Sequence, residues 1–170
     1  MHNDDMRLPL PSGSEVSLRP VSAADDEFLL TVYAGTREEE LAQVPWSDEQ
    51  KSQFLRSQFN LQREQYDLTY ANVQYDVILV DERPAGRIWV SRGDEIRLLD
   101  IALLGEFQNR GVGTVLLRSL IDEAVRVKKS LRHMVFFLNT DAKRFYERLG
   151  FVVFEEVGAY LHMEWRDGSP

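Results

Sequence analysis

From residue 74 the apolar positions alternate with a period of two and are broken at short intervals by turn residues. Tyr75-Asp76-Val77-Ile78-Leu79-Val80 stops at Asp81-Glu82-Arg83-Pro84. Ala85-Gly86-Arg87-Ile88-Trp89-Val90 stops at Arg92-Gly93-Asp94, and Ile96 to Leu104 follows. Runs of this kind joined by tight turns predict an antiparallel meander of three strands. The period then lengthens. Leu116, Leu117, Leu120, Ile121, Ala124 and Val125 fall on one face of a helix running from Gly111 to about Lys128. Residues 133–138 read as a strand, Asp141 to Leu149 as a second helix of this half, and residues 151–156 and 160–165 as two closing strands.

Ahead of the meander, Val16-Ser17-Leu18-Arg19-Pro20 predicts a short strand. Ser22 stands as N-cap before the acidic turn Asp25-Asp26-Glu27, with a helix continuing through Phe28 to Tyr33. Ser47-Asp48-Glu49-Gln50 has capping-box spacing and opens a helix through Phe54, Leu55, Gln58, Phe59 and Leu61. The chain is therefore expected to be α/β: a mixed sheet of about seven strands with four helices. Its first half is antiparallel, and a β-α-β crossover starts at the strand 96–104. Residues 1–14 are expected as a loose lead-in, 15–166 as a single domain and 167–170 as a tail. In such a sheet ligands collect at the carboxyl ends of strands where the order switches, which directs attention to residues 101–114.

Composition narrows the chemistry. The 170 residues contain no cysteine, which removes disulfides, thiolate metal sites and a cysteine acyl-enzyme. No cluster of His, Asp and Glu has metal-ligand spacing, so no metal is expected. The start Met1-His2-Asn3-Asp4-Asp5 lacks a signal-peptide pattern, and no apolar run approaches the roughly 20 residues of a membrane span. A cytoplasmic protein is the simplest reading. A net charge of −8 speaks against nucleic acid or an anionic membrane as partner. An anionic ligand would have to be held by a local array of donors, against the global field.

Gln108-Asn109-Arg110-Gly111-Val112-Gly113-Thr114 supplies such an array, because it follows a strand directly and opens an amphipathic helix. Two glycines one residue apart let a ligand come close to the backbone, and first-turn amides point free donors outward at the positive end of the helix dipole. That chemistry suits a phosphate or pyrophosphate. The Gly-Lys-Ser/Thr ending of a P-loop is absent, and Leu116 stands where a dinucleotide fingerprint has its third glycine.

Gln108-x-x-Gly111-x-Gly113 resembles the first signature of the GNAT N-acetyltransferase superfamily. Asn139-Thr140-Asp141-Ala142-Lys143-Arg144-Phe145-Tyr146-Glu147-Arg148-Leu149-Gly150-Phe151 is similar to its second, and the element order matches as well. Within that superfamily, Asp100-Ile101-Ala102-Leu103-Leu104 resembles the strand of one bacterial group. The resemblance, over about residues 15 to 166, implies an acetyl-CoA-dependent enzyme that acylates an amine. It implies that backbone groups of Ala102, Leu103 and Leu104 meet the pantetheine arm. Amides from Asn109, Arg110, Gly111, Val112, Gly113 and Thr114 would hold the pyrophosphate, with Gln108 opening the motif. Asn139 would bond the arm, Ala142 and Phe145 would pack near it, and Tyr146 would direct its hydroxyl at the thioester sulfur. A small-molecule or peptide amine would be the acceptor, and the resemblance admits a homodimer.

Other readings of these residues stay open. Ala142, Phe145, Tyr146 and Leu149 share a helix face, so Tyr146 also reads as core, and Asn139 also reads as a helix cap. Asp100, a carboxylate amid Leu98, Leu99, Ile101 and Ala102, reads as general base, as ammonium anchor or as a structural aspartate, with Glu95 the poorer base. His133 and His162 sit on strands in packing positions. A phenol with a reference pKa of about 10 stays protonated at neutral pH and can protonate a leaving thiolate. Without cysteine, direct transfer in a ternary complex is the expected course. Two alternatives are a GNAT-like domain that binds acyl-CoA without turnover, as sensor or scaffold, and a nucleotide-phosphate binder.

Overall fold

The computed structural model describes residues 6–167. One eight-stranded sheet runs through the molecule in the order β1-β2-β3-β4-β5-β6-β8-β7. Its strands are β1 Arg7–Pro9, β2 Glu15–Pro20, β3 Val73–Val80, β4 Arg83–Arg92, β5 Ile96–Leu103, β6 Leu131–Phe136, β7 Val152–Val157 and β8 Tyr160–Trp165. Helices α1 (Asp26–Ala42) and α2 (Asp48–Thr69) precede the meander, α3 (Val112–Val127) makes the crossover, and α4 (Thr140–Arg148) links β6 to β7. Every strand pair is antiparallel except β5–β6. The crossover is therefore where it was expected.

Two apolar clusters lie on the two sides of the sheet. One contains Ile78, Ile88, Val90, Leu98, Leu116, Leu117 and Leu120, and joins α3 to the strands. The other, under α1 and α2, is built from Leu29, Tyr33, Phe59 and Trp89. The capping box at the start of α2 forms as its spacing predicts: Ser47 N–H donates to Gln50 Oε1 at 2.9 Å, and Gln50 N–H to Ser47 Oγ at 3.2 Å.

The structure differs from the sequence reading in three places. Residues 7–9 are no loose lead-in but a strand, with Arg7 opposite Ser17 and Leu8 opposite Val16. Residues 1–5 and 168–170, parts of the expected lead-in and tail, lie outside the described residues. Strand β6 starts at Leu131 and ends at Phe136, because Asn139 N–H turns back to the Phe136 carbonyl at 2.9 Å. Phe137 and Leu138 have strand-like side chains but sit in that turn. Finally, α1 and α2 run on to Ala42 and Thr69, well past Tyr33 and Leu61. Among the described residues no helix is long and apolar enough to cross a membrane.

Candidate active site at the fork between two parallel strands

Strands β5 and β6 pair only at Ile96–Leu131, Arg97–Arg132 and Leu98–His133. Beyond Leu98 they diverge, and β5 runs on to Leu103 with a neighbour on the β4 side alone. A bulge accompanies the divergence. Trp89 lies opposite Asp100 and Val90 opposite Leu98, so Leu99 is the extra residue on β5. Leu104 N–H donates to the Ala85 carbonyl at 2.8 Å, toward β4. Strand alternation then turns the backbone groups of Ile101 and Leu103 into the fork and those of Ala102 toward β4. Gln108 Nε2 donates to the Leu103 carbonyl at 3.0 Å, which ties the glycine-containing loop to the fork. Of the three residues expected at the pantetheine arm, Leu103 offers a free N–H, while the Leu104 amide is committed to the sheet. Ile101 was missed, because backbone direction depends on register and the bulge is silent in the side-chain pattern.

Asp100 emerges on the α1–α2 face at the root of the fork. Its Oδ2 lies 2.6 Å from Arg87 Nε, with 21% of the Asp100 side chain exposed and 1% of the Arg87 side chain. The guanidinium sits in an aromatic box, its central carbon 4.4 Å from the Trp89 ring, 5.4 Å from Tyr33 and 5.8 Å from Phe59. Burial lifts the Asp100 carboxyl above the ordinary aspartate value, and Arg87 pulls it back. The Tyr66 hydroxyl donates to the Leu99 carbonyl at 3.2 Å, beside Asp100. Burial, then the Asp100 charge, pushes this phenol up to about 12. Sequence reasoning passed over Arg87 and Tyr66. An arginine in an apolar strand, 13 residues before an aspartate in the next one, was the available signal.

Tyr146, on α4, packs against the other arm of the fork, β6. It is 4% exposed and its ring stacks on His133 at 4.3 Å, with Phe145 at 5.1 Å and Phe151 at 5.5 Å. It is thus part of the core and also a neighbour of the fork. Burial, then the charge of Asp100, raises its pKa, so the hydroxyl stays protonated through the neutral range. His133 Nδ1–H donates to the Leu98 carbonyl at 3.2 Å, at the last paired position before the strands part. Burial holds this imidazole down at about 4, hence neutral.

The loop 109–114 lies at the mouth of the fork. Gly111 caps α3 at φ +85° and Asn109 has φ 59°, so the left-handed conformation belongs to these two. The first closing bond of α3 runs from Val115 N–H to the Gly111 carbonyl at 3.1 Å. The amides of Val112, Gly113 and Thr114 consequently have no acceptor inside the helix. Gly113 has helical backbone, and a β-carbon there would lie 3.4 Å from Phe145 Cζ, so its small size lets α4 approach α3. The Val112 side chain is buried, leaving only its amide to a ligand. Arg110 is exposed over the Phe107 ring at 5.8 Å. Asn139 caps α4, its Oδ1 accepting from Ala142 N–H at 3.2 Å, and Ala142 packs against the core.

The remaining candidates are occupied elsewhere. Glu95 pairs with Arg97 and Arg132, each at 2.9 Å, and His162 lies 4.0 Å from Glu155. Among the described residues no group of three His, Cys, Asp or Glu is arranged to hold a metal ion. The centre does keep uncommitted polar atoms. Arg87 Nη1, Trp89 Nε1 and Gln62 Oε1 are buried without a hydrogen-bond partner in the protein.

A family model described as the acetyltransferase (GNAT) family matches residues 34–151. Among solved structures, the PaiA N-acetyltransferase of Thermoplasma acidophilum, in complex with coenzyme A, superposes with a TM-score of 0.65 at 20% identity. That match covers 89% of this chain and 98% of that one. The histone acetyltransferase HPA2 and related acetyltransferase from Corynebacterium glutamicum gives 0.63 at 22% identity, over 91% and 98%. Arabidopsis thaliana Naa50 with the bisubstrate analogue CoA-Ac-MVNAL gives 0.55 at 15%, over 88% and 96%. At these identities the structures speak for the fold. No curated protein matches the sequence.

Proposed function

Since the chain belongs to the acetyltransferase (GNAT) family, we propose that it moves an acetyl group from acetyl-CoA to an amine by direct transfer in a ternary complex. One observation carries this reading: the β5–β6 fork has Asp100 on one arm and, stacked on His133 of the other, Tyr146 from α4, with the free amides of α3 at its mouth.

The first-turn amides of Val112, Gly113 and Thr114, with Asn109 to Gly111 before them, suit the pyrophosphate. The fork-facing backbone of Ile101 and Leu103 suits the pantetheine amides. An acceptor ammonium, pKa about 10, must lose a proton before it can attack. Asp100 holds or accepts that proton, and its partly exposed carboxylate passes it to solvent. The amine nitrogen then bonds the thioester carbon. As the C–S bond breaks, the Tyr146 hydroxyl, kept protonated by burial, gives its proton to the departing thiolate, and the second proton lost by the acceptor nitrogen restores the phenol. The products are an amide, the free thiol and one proton released to solvent. With no cysteine in the chain, no acyl-cysteine intermediate intervenes.

The test is calorimetric titration with acetyl-CoA together with thiol release over a panel of amines. Acetyl-CoA is expected to bind, and Asp100→Asn to lower turnover by roughly 10²-fold or more without changing that affinity. Binding without thiol release for any amine would instead identify a non-catalytic acyl-CoA binder.

A further inference from the structure

An open groove of about 690 Å³ lies on the α1–α2 face, between α2 and Tyr160 of β8. It reaches the reaction centre by two routes. Tyr33 lines the groove, and its ring lies 5.4 Å from the Arg87 guanidinium that pairs with Asp100. Gln62 also lines it, donating from Nε2 to the Tyr66 hydroxyl at 3.4 Å, and that hydroxyl donates in turn to the Leu99 carbonyl. The other end of the Gln62 amide, Oε1, is buried with no hydrogen-bond partner. A buried acceptor left open on a residue that lines a groove can be satisfied by an N–H from whatever enters.

The lining says what that is. Its two charged residues are Arg37 and Glu64. Arg37 is already engaged, its Nε with Glu40 at 2.9 Å and its Nη1 with the Tyr33 hydroxyl at 2.9 Å. The one open arginine nitrogen near the centre, Arg87 Nη1, is buried in its aromatic box, so the groove presents no unshared cation at its surface for the carboxylate of a free amino acid. A polyamine would find one carboxylate for its additional ammonium groups. Gln58, Gln62 and Gln65, by contrast, offer N–H donors and carbonyl acceptors together, the complement of a peptide unit. Leu61 and Leu68, 54% and 89% exposed, add apolar surface for uncharged side chains.

We propose that this groove receives the acceptor, and that the acceptor is the free N-terminus of a peptide whose leading residues are uncharged and apolar, with Gln62 accepting from its first peptide N–H. The proposal rests on the acetyl-transfer reading above.

Thiol release at saturating acetyl-CoA would be compared for three acceptors: C-terminally amidated peptides with apolar leading residues, the corresponding free amino acids, and spermidine. The peptides are expected to exceed both other classes at least tenfold in kcat/KM. Gln62→Leu should raise the peptide KM about tenfold while the calorimetric affinity for acetyl-CoA stays as in the parent. Leu68→Glu, at a position too exposed to disturb folding, should shift preference toward peptides carrying lysine. Spermidine or a free amino acid as the best acceptor overturns the class while leaving acetyl transfer intact, and so does an unchanged peptide KM in Gln62→Leu. Silence with every amine overturns the acetyl-transfer reading, and the peptide assignment with it.

Discussion

Tyr146 serves two masters, the core and the fork, and a single atom separates them. Tyr146→Phe keeps the ring against His133, Phe145 and Phe151 and removes only the hydroxyl. If that hydroxyl protonates the thiolate, kcat should fall by roughly 10²–10⁴, about 3–5 kcal/mol of transition-state stabilisation. The KM for acetyl-CoA should barely move, because charge reaches sulfur only in the transition state. Undiminished turnover on a good acceptor, measured where chemistry limits the rate, would return Tyr146 to packing alone. His133 carries a different signature. Its folded pKa, about 4, lies below the ordinary 6.5, so the unfolded chain takes up a proton first as pH falls. The stability it provides is complete above pH 6.5 and is lost progressively down to about 4, roughly 2–3 kcal/mol of it by pH 4.5. Denaturant titrations at pH 7 and 4.5 should show that loss in the parent and a smaller one in His133→Asn. Equal losses in both would show that other groups govern acid sensitivity. Asp100 and Tyr146 were legible as candidates from composition and motif alone. Arg87, Tyr66 and His133 were not, since each draws its meaning from a neighbour distant in sequence.

Among the elements, the β4–β5 hairpin governs the geometry of the fork. Gly86 lies opposite Leu103, and a β-carbon there would sit 2.1 Å from the Ala102 carbonyl oxygen. Neither atom can swing aside as a flexible side chain would, so Gly86→Ala must push β5 away from β4. The expected result is a protein with a markedly lower Tm and weaker acetyl-CoA binding by calorimetry, because the displaced strand carries Ile101 and Leu103. A variant with parental Tm and affinity would mean that β5 has slack the packing does not suggest. Helix and strand identities were readable here because periodicity is a local property: Leu116 to Val125 declare α3 unaided. The bulge at Leu99 and the parting of β5 from β6 were unreadable for the opposite reason. They are relations between chains of hydrogen bonds, and no residue in either strand announces them. The glycines fall between these cases. Both were noticed, yet the left-handed conformation proved to be at Gly111, while Gly113 makes room for Phe145.

At the scale of the whole molecule the sheet is a partition. The α3 amides lie on one side of it, the groove along α2 on the other, and the fork is where the two can meet. The crossover and the mixed α/β class followed from element order, but the placement of β8 between β6 and β7 did not, because hairpin order within a sheet leaves no trace in the alternation of side chains. That placement has a consequence for how the molecule comes into being on the ribosome. β6, the second arm of the fork, acquires its flanking partner only from residues 160–165. Throughout synthesis of α4 and β7 it remains an open edge bearing Met134 and Phe136, with its backbone groups unpaired on that side. The nascent chain is thus most prone to adhere to its neighbours in the interval just before the site can close, and a stall in translation between residues 136 and 160 would prolong that exposure.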